Sequence, residues 1–470
     1  MATASELIAL DVASLSSKIR SREVSPVEVT EAYLGRIEEL DAKLRTYITV
    51  TADLARAAAK AAETEIRAGK WRGPFHGIPV AVKDLLYTKG IRTTGGSKIL
   101  ADFVPDHDAT VWKRLAEAGA VLLGKLNLHE FAYGVTSANP HWGAVRNPYD
   151  PERIPGGSSG GSAAAIVAGM AAATIGTDTG GSIRIPAAFC GCVGLKPTWS
   201  RVSRHGVIPL AYTLDHVGPI TRTVRDAAIM LGVIAGQDPD DSSSSRNPVP
   251  DYTRALGGEI KGARVGVVRE LTNALSDDVS HSFDTALKQL SALGAIVEDV
   301  SVPSIAAASV VNTAITFGEA LEYHEQWMRT RAADYGPDVR RLLEAGMGVT
   351  ASSYIRAQRG RARILADATD ALDGREVLLA PTSAIPAPKL AETTILGAER
   401  GRIDLVQEVL RFTAPFDVTG QPALAIPIGL SPGGLPLSMQ IIGRPFDEPS
   451  VIRVANAYER ARGVLPPPKL

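Results

Sequence analysis

Short apolar runs alternate with helical patterns from Gly77 onward, and this alternation limits the possible fold more than any other feature of the chain. Residues 78–82 and 120–123 have the length and composition of buried strands, whereas 110–118 and 163–173 have the spacing of helices. Such alternation is typical of an α/β fold, in which helices pack on a sheet. The apolar stretch 163–175 as a whole predicts a buried helix.

The second half of the chain continues the pattern after a surface connection at 238–250, which holds four consecutive serines. Strand-like runs follow at 264–268, 296–302, 377–380 and 423–428. We expect the late strands to rejoin the early sheet, so that the chain forms one domain, residues 1–470, without internal repeats.

Within that domain we predict three regions besides the late strands. Residues 1–70 are rich in Ala, Glu and Arg and predict a helical N-terminal layer, with Ser25-Pro26-Val27-Glu28 as a helix start. Residues 71–237 form the core that holds the motifs described below. Residues of about 300–375 predict a helical insertion.

Composition excludes several classes of partner and site. The chain has 50 Lys and Arg against 51 Asp and Glu, a net charge of −1, so we expect neither a nucleic-acid nor a membrane partner. Its two cysteines, Cys190 and Cys192, are too close together for an ordinary disulfide and too few for a structural zinc site. The sequence has no targeting segment and no run of about 18 apolar residues, which predicts a cytoplasmic protein.

Two glycine-rich stretches, 156–162 and 176–184, contain the serines best suited to catalysis, and a lysine lies far upstream at Lys83. Lys83 ends the apolar run 78–82, so burial is expected to lower its pKa and allow the neutral amine to act as a base.

The second stretch combines a nucleophile with its oxyanion donors. In Thr179-Gly180-Gly181-Ser182 consecutive glycines allow several backbone N–H groups to converge on one point. Ser182 closes this segment and is the candidate nucleophile for acyl transfer. Ser158 in the first stretch is placed to relay a proton between Ser182 and Lys83.

These residues resemble the amidase signature family. Lys83, the run Gly156 to Gly161 and Gly180-Gly181-Ser182 match its motifs and spacing, and the resemblance covers nearly the whole chain. It implies a large, mostly mixed sheet covered by helices on both faces. It also implies a catalytic triad of Ser182 as nucleophile, Ser158 after a cis peptide as relay, and Lys83 as base and acid.

The same resemblance places the oxyanion hole on the main chain of Thr179, Gly180, Gly181 and Ser182. It implies hydrolysis of a carboxylic amide, or of a related aryl amide, carbamate or hydrazide, through an acyl-Ser182 enzyme. The substrate is expected to be a small molecule, with no metal and no organic cofactor. A homodimer is compatible with the family.

Further candidates are less central. Tyr133, Thr136 and Ser137 lie in the loop before the first serine motif, where family members line the acyl pocket, and Arg341 in the insertion is a candidate for the pocket rim. Asp178 and Arg184 flank the nucleophile segment and are expected to pair.

Two alternatives remain open. Gly157-Ser158-Ser159-Gly160-Gly161 also fits the nucleophile elbow of α/β-hydrolases, with Ser159 attacking, although no strand precedes it. The chain also resembles the glutamine-hydrolysing component of a tRNA-dependent amidotransferase. That component carries an acidic residue before a Phe-Thr pair, whereas this chain has Leu410-Arg411 before Phe412-Thr413, which favours a stand-alone amidase.

Overall fold

The computed structural model describes residues 3–394 and 403–470. The strands of this part are, in chain order, β1 Tyr47–Val50, β2 Pro79–Lys83, β3 Val121–Leu126, β4 Ala138–Asn139, β5 Gly143–Ala144, β6 Ala173–Asp178, β7 Val193–Lys196, β8 His216–Thr221, β9 Arg264–Val268, β10 Ile296–Val300, β11 Val377–Pro381, β12 Thr393–Thr394, β13 Ile403–Asp404, β14 Ala423–Leu430 and β15 Pro436–Ile442.

The α-helices are α1 Ala4–Ala9, α2 Val12–Arg20, α3 Pro26–Leu44, α4 Ala52–Arg67, α5 Thr110–Glu117, α6 Gly160–Val167, α7 Arg184–Cys190, α8 Val224–Ile234, α9 Asp277–Ala292, α10 Ala308–Thr330, α11 Pro337–Gly346, α12 Ala351–Asp370, α13 Arg411–Val418 and α14 Glu448–Arg462.

Eleven of the described strands form one mixed sheet in the order β1-β3-β2-β6-β8-β7-β14-β15-β11-β9-β10. Strand β2 runs parallel to both neighbours, whereas β8 is antiparallel to β6 and β7. Every residue of β2, β3, β6, β8 and β11 is buried. Since successive side chains of a strand point to opposite faces, both faces of the sheet are covered. The α/β fold is confirmed.

The late strands rejoin the early sheet, as the sequence predicts. Strand β14 pairs with β7, and β15 joins β14 to β11. The connection at 238–250 therefore does not separate two sheets.

Two local predictions need correction. The N-terminal 70 residues are not wholly helical, because Tyr47–Val50 forms β1 and pairs with β3; Ile48, Thr49 and Val50 are β-branched, which favours a strand. The apolar stretch 163–175 is not one helix: α6 ends at Val167, Gly169 adopts a φ of +73°, and β6 begins at Ala173. The predicted helix start is present, with a capping box between Ser25 and Glu28.

The insertion consists of α10, α11 and α12, between β10 and β11. One segment of the described chain, Pro303–Thr330, is long and apolar enough to cross a membrane by those criteria alone, a test that core helices also pass. It contains α10, which packs against α11, α12 and α13.

Candidate active site

Lys83 lies at the carboxyl end of β2, beside the carboxyl end of the parallel strand β6. Residues at these ends of neighbouring parallel strands meet at one edge of a sheet, where open α/β sheets bind their ligands. The side chain of Lys83 is fully buried.

The Lys83 ammonium has two hydroxyl partners. Its Nζ donates to Ser158 Oγ and to Thr177 Oγ1, each at 2.7 Å. Burial lowers the pKa of Lys83 to about 7, although the carboxylates of Asp178 and Asp215 act in the opposite direction. A large fraction of this lysine is therefore neutral near pH 7 and able to accept a proton.

Ser158 follows a cis peptide bond from Gly157, and the surrounding loop is held by Ser137. Ser137 Oγ donates to the carbonyl of Gly156 at 2.9 Å and accepts the N–H of Gly160 at 3.1 Å. These bonds fix the segment that carries Ser158 against Lys83.

The two glycine-rich stretches are joined directly, since the N–H of Ser159 donates to the carbonyl of Ser182 at 3.2 Å. The side chain of Ser159 is occupied by the main chain: its Oγ donates to the carbonyl of Thr177 and accepts that residue's N–H. Among the described residues no imidazole contacts Ser159, so the geometry of a nucleophile elbow is missing there.

The segment Thr179–Ser182 is held by residues from distant elements and by its own neighbour Asp178. Asn312 Nδ2 on α10 donates to the carbonyl of Thr179 at 2.9 Å, and Thr413 Oγ1 on α13 donates to that of Gly180 at 2.5 Å. The N–H of Gly181 donates to Asp178 Oδ1. The other three predicted oxyanion donors, the N–H groups of Thr179, Gly180 and Ser182, meet no acceptor in residues 3–394 and 403–470.

Gly181 is required by its backbone and its surroundings. It adopts a φ of +138°, and a Cβ there would lie 2.2 Å from Thr413 Oγ1. Only glycine accommodates both conditions.

A buried ionic network lies behind this segment. Arg184 Nε donates to Asp178 Oδ2 at 3.0 Å and Nη2 donates to Asp417 Oδ2 at 2.6 Å, and all three side chains are fully buried. Burial would raise the pKa of Asp178, but the Arg184 guanidinium holds it well below its usual range. The remaining Arg184 nitrogen, Nη1, donates to the carbonyl of Thr413 and to Gln440 Oε1. The predicted pairing of Asp178 with Arg184 is confirmed.

Ser182 opens into a cavity of about 130 Å³, named here the Ser182 cavity. Its described walls contain no charged side chain and are formed by Ala132, Tyr133, Gly134, Val135, Thr179, Gly180, Leu210, Asn312, Thr313, Thr316, Phe317, Leu342, Val406 and Leu410. A second cavity of about 230 Å³ shares Ala132, Thr179 and Leu210 with it and also contacts Thr177 and Asp215.

Of the four predicted substrate contacts, the structure brings only Tyr133 to the Ser182 cavity. Thr136 Oγ1 instead bonds His129 Nδ1 at 3.2 Å, and Ser137 supports the Ser158 loop. Arg341 is exposed on α11, where the next residue, Leu342, turns to the cavity. These three expectations are corrected: two hydroxyls are engaged by neighbours, and the third residue lies on the solvent face of its helix.

Sequence reasoning missed the contribution of α10, which supplies Asn312, Thr313, Thr316 and Phe317 to the cavity. A usable signal exists, because Asn312 and Thr316 are polar residues four positions apart and therefore share one face of an otherwise apolar helix. Thr177, the second partner of Lys83, was also missed. Within the described ranges, no group of three His, Cys, Asp or Glu side chains is placed to hold a metal ion.

Comparison with known proteins agrees with this architecture. A family model described as Amidase matches residues 28–452, so the chain belongs to the amidase family. It is 43% identical to the GatA-type component of glutamyl-tRNA(Gln) amidotransferase from Geobacter metallireducens, over 97% of this chain and 98% of that protein.

Two solved structures extend the comparison. Native peptide amidase from Stenotrophomonas maltophilia is 33% identical, with a TM-score of 0.87 over 98% of each chain. A chain of a vestigial protein complex that reveals the evolutionary origins of an s-triazine catabolic enzyme is 33% identical, with a TM-score of 0.91 over 97% of this chain and 99% of that one. The predicted family, its fold and an enzyme that cleaves amide C–N bonds are confirmed.

Replacing Arg184 by Gln is expected to lower the free energy of unfolding by about 3–5 kcal/mol, because the carboxylates of Asp178 and Asp417 lose their buried counter-charge. The measurement is urea denaturation followed by circular dichroism. The matched control is Arg340→Gln, which breaks an exposed pair with Glu344 and should cost less than about 1 kcal/mol. Equal losses in the two variants would contradict a structural role for the network.

Proposed function

We propose that the chain hydrolyses amides through an acyl-Ser182 intermediate, with Lys83 as base and Ser158 as proton relay. The observation that carries this proposal is the 2.7 Å contact between Lys83 Nζ and Ser158 Oγ, made by a lysine whose pKa is lowered to about 7. The direct bond between Ser159 and Ser182 keeps the relay loop beside the nucleophile segment.

In the proposed reaction, neutral Lys83 takes the proton of Ser158 while Ser158 takes that of Ser182. Ser182 Oγ forms a bond to the amide carbon, and the carbonyl oxygen becomes an oxyanion stabilised by the N–H groups of Thr179, Gly180 and Ser182. The C–N bond then breaks, and the proton held by Lys83 returns through Ser158 to the leaving amine. Water, activated by the same relay, releases the acid and regenerates Ser182.

The Ser182 cavity favours an uncharged acyl group. A charged group enclosed there would lose its hydration without meeting a charged partner among the described wall residues. Leu410, which stands close to the position where the amidotransferase component is expected to carry an acid, is itself part of the wall. We therefore propose a stand-alone amidase for small, uncharged amides, located in the cytoplasm and working without metal or organic cofactor.

A second candidate function rests on sequence similarity. The relative at 43% identity is one component of an amidotransferase, and this similarity favours a glutamine-hydrolysing enzyme that acts with partner proteins over a stand-alone one. Both candidates share amide C–N cleavage at the same serine. They differ in the acyl group and in the need for a partner.

Substrate preference separates the two candidates. We expect the purified chain to hydrolyse simple aliphatic and aryl amides with a higher kcat/KM than glutamine, because the α-ammonium and α-carboxylate of glutamine lack charged partners in the described walls. Release of ammonia is the measurement for primary amides and for glutamine. Preference for glutamine, or activity that appears only with a partner, would select the second function.

Ser182→Ala is expected to lower kcat/KM by about 10³-fold or more, because the attacking oxygen is lost. Ser159→Ala is the matched control one residue from the relay, and it should retain most activity because Ser159 Oγ bonds only main-chain groups of Thr177. A serine-reactive phosphonate should label the peptide containing Ser182. Loss of activity in Ser159→Ala with labelling at Ser159 would favour an α/β-hydrolase mechanism instead.

The rate of acylation should rise with pH to a plateau with a midpoint near 7, since the reaction uses Lys83 without its proton. Single-turnover acylation from about pH 5 to 9 measures this profile. Lys83→Arg should be inactive across the range, because a guanidinium keeps its proton. A wild-type rate that is independent of pH over this range would exclude Lys83 as the base.

A further inference from the structure

One turn of α10 faces the Ser182 cavity with polar side chains. Asn312 and Thr316 are four positions apart and both contact the cavity. The amide nitrogen of Asn312 is used by the carbonyl of Thr179, but the Thr316 hydroxyl has no hydrogen-bond partner within the described part of the chain. Thr316 is only 7% exposed, so its hydroxyl is buried and contacts the cavity unpaired.

Tyr133 supplies a second hydroxyl of the same kind. It is 5% exposed, contacts the Ser182 cavity, and its phenol oxygen lacks a hydrogen-bond partner in residues 3–394 and 403–470. Its ring meets Phe317 edge to face, with 6.2 Å between centroids, so it lies against the turn of α10 that carries Thr316. Burial raises the pKa of Tyr133, and the phenol therefore stays protonated and able to donate.

Two unpaired buried hydroxyls in one cavity call for an explanation, because buried polar groups in native proteins are nearly always hydrogen-bonded. The other described walls of the cavity are largely apolar side chains. A ligand that pairs these hydroxyls must bring an acceptor atom along a mostly apolar chain. The acceptor is best uncharged, because hydroxyls alone do not compensate the burial of a carboxylate.

We propose that the Ser182 cavity selects acyl groups that carry one uncharged oxygen acceptor, as in an ether or a carboxamide, bound by the hydroxyls of Thr316 and Tyr133. This inference rests on the proposed function, since it assigns the cavity to the acyl group. It deepens that proposal from an uncharged substrate to one with an oxygen at a defined distance from the scissile carbonyl.

The test measures binding to the Ser182→Ala protein and therefore does not depend on turnover. Calorimetry compares hexanamide with its isosteres in which one methylene from C3 to C5 is replaced by an ether oxygen. We expect one isostere to bind at least about tenfold more tightly than hexanamide, because hexanamide leaves both hydroxyls unpaired.

Substitutions in the same background locate the preference. Adding Thr316→Val or Tyr133→Phe should reduce the preference for the ether to about threefold or less, whereas Thr316→Ser, which keeps the hydroxyl, should retain it. Thr330→Val is the matched control, since it makes the same change at the exposed end of α10 and should leave the preference intact.

Equal binding of hexanamide and all its ether isosteres would overturn the inference, and this comparison needs no further variant. A preference that survives both Thr316→Val and Tyr133→Phe, tighter binding of an acyl chain ending in a carboxylate, or no binding of any member would overturn it as well. Retained amide hydrolysis by Ser182→Ala bears instead on the proposed nucleophile, so the two failures are distinguishable.

Discussion

The buried guanidinium of Arg184 is the interaction on which the rest of the site depends. It lies between Asp178 at the end of β6 and Asp417 on α13, and it also reaches Gln440 on β15. Four elements that are far apart in sequence therefore converge on one charge. Because Asp178 also accepts the N–H of Gly181, the same ion pair fixes the backbone next to Ser182. Such a network is costly to bury, and its value lies in the arrangement it imposes rather than in net stability.

Lys83 is buried under the opposite condition. Its neighbours are hydroxyls, and it has no carboxylate in direct contact among the described residues, so desolvation is not compensated and the pKa falls. Lys125, one strand away on β3, is equally buried but lies 3.4 Å from Asp84. Two lysines at the edge of one sheet thus serve different purposes: one is paired with a carboxylate, while the other is available as a base.

The sequence predicted those parts of the fold and site that depend on local pattern. Glycine spacing and the apolar run before Lys83 located the three candidate catalytic residues, and the alternation of runs predicted the α/β class. Contacts made across long separations were not visible. Ser137 and Thr136 lie in the predicted loop, but the partner of each hydroxyl is decided by tertiary packing. The strand β1 was missed because four β-branched or aromatic residues lay between two strongly helical segments, and its pairing with β3 determined the outcome.

Helix α10 performs two tasks within one turn, and this limits how the enzyme can change. Asn312 fixes the carbonyl of Thr179, while Thr316 forms part of the wall of the Ser182 cavity. A movement of the helix that makes room for a larger ligand would also displace the peptide groups beside Ser182. Substrate range and reaction rate are therefore mechanically coupled through this turn. New specificities are more accessible by trimming side chains such as Leu342 or Leu410, which contact the cavity without holding the backbone of Thr179–Ser182.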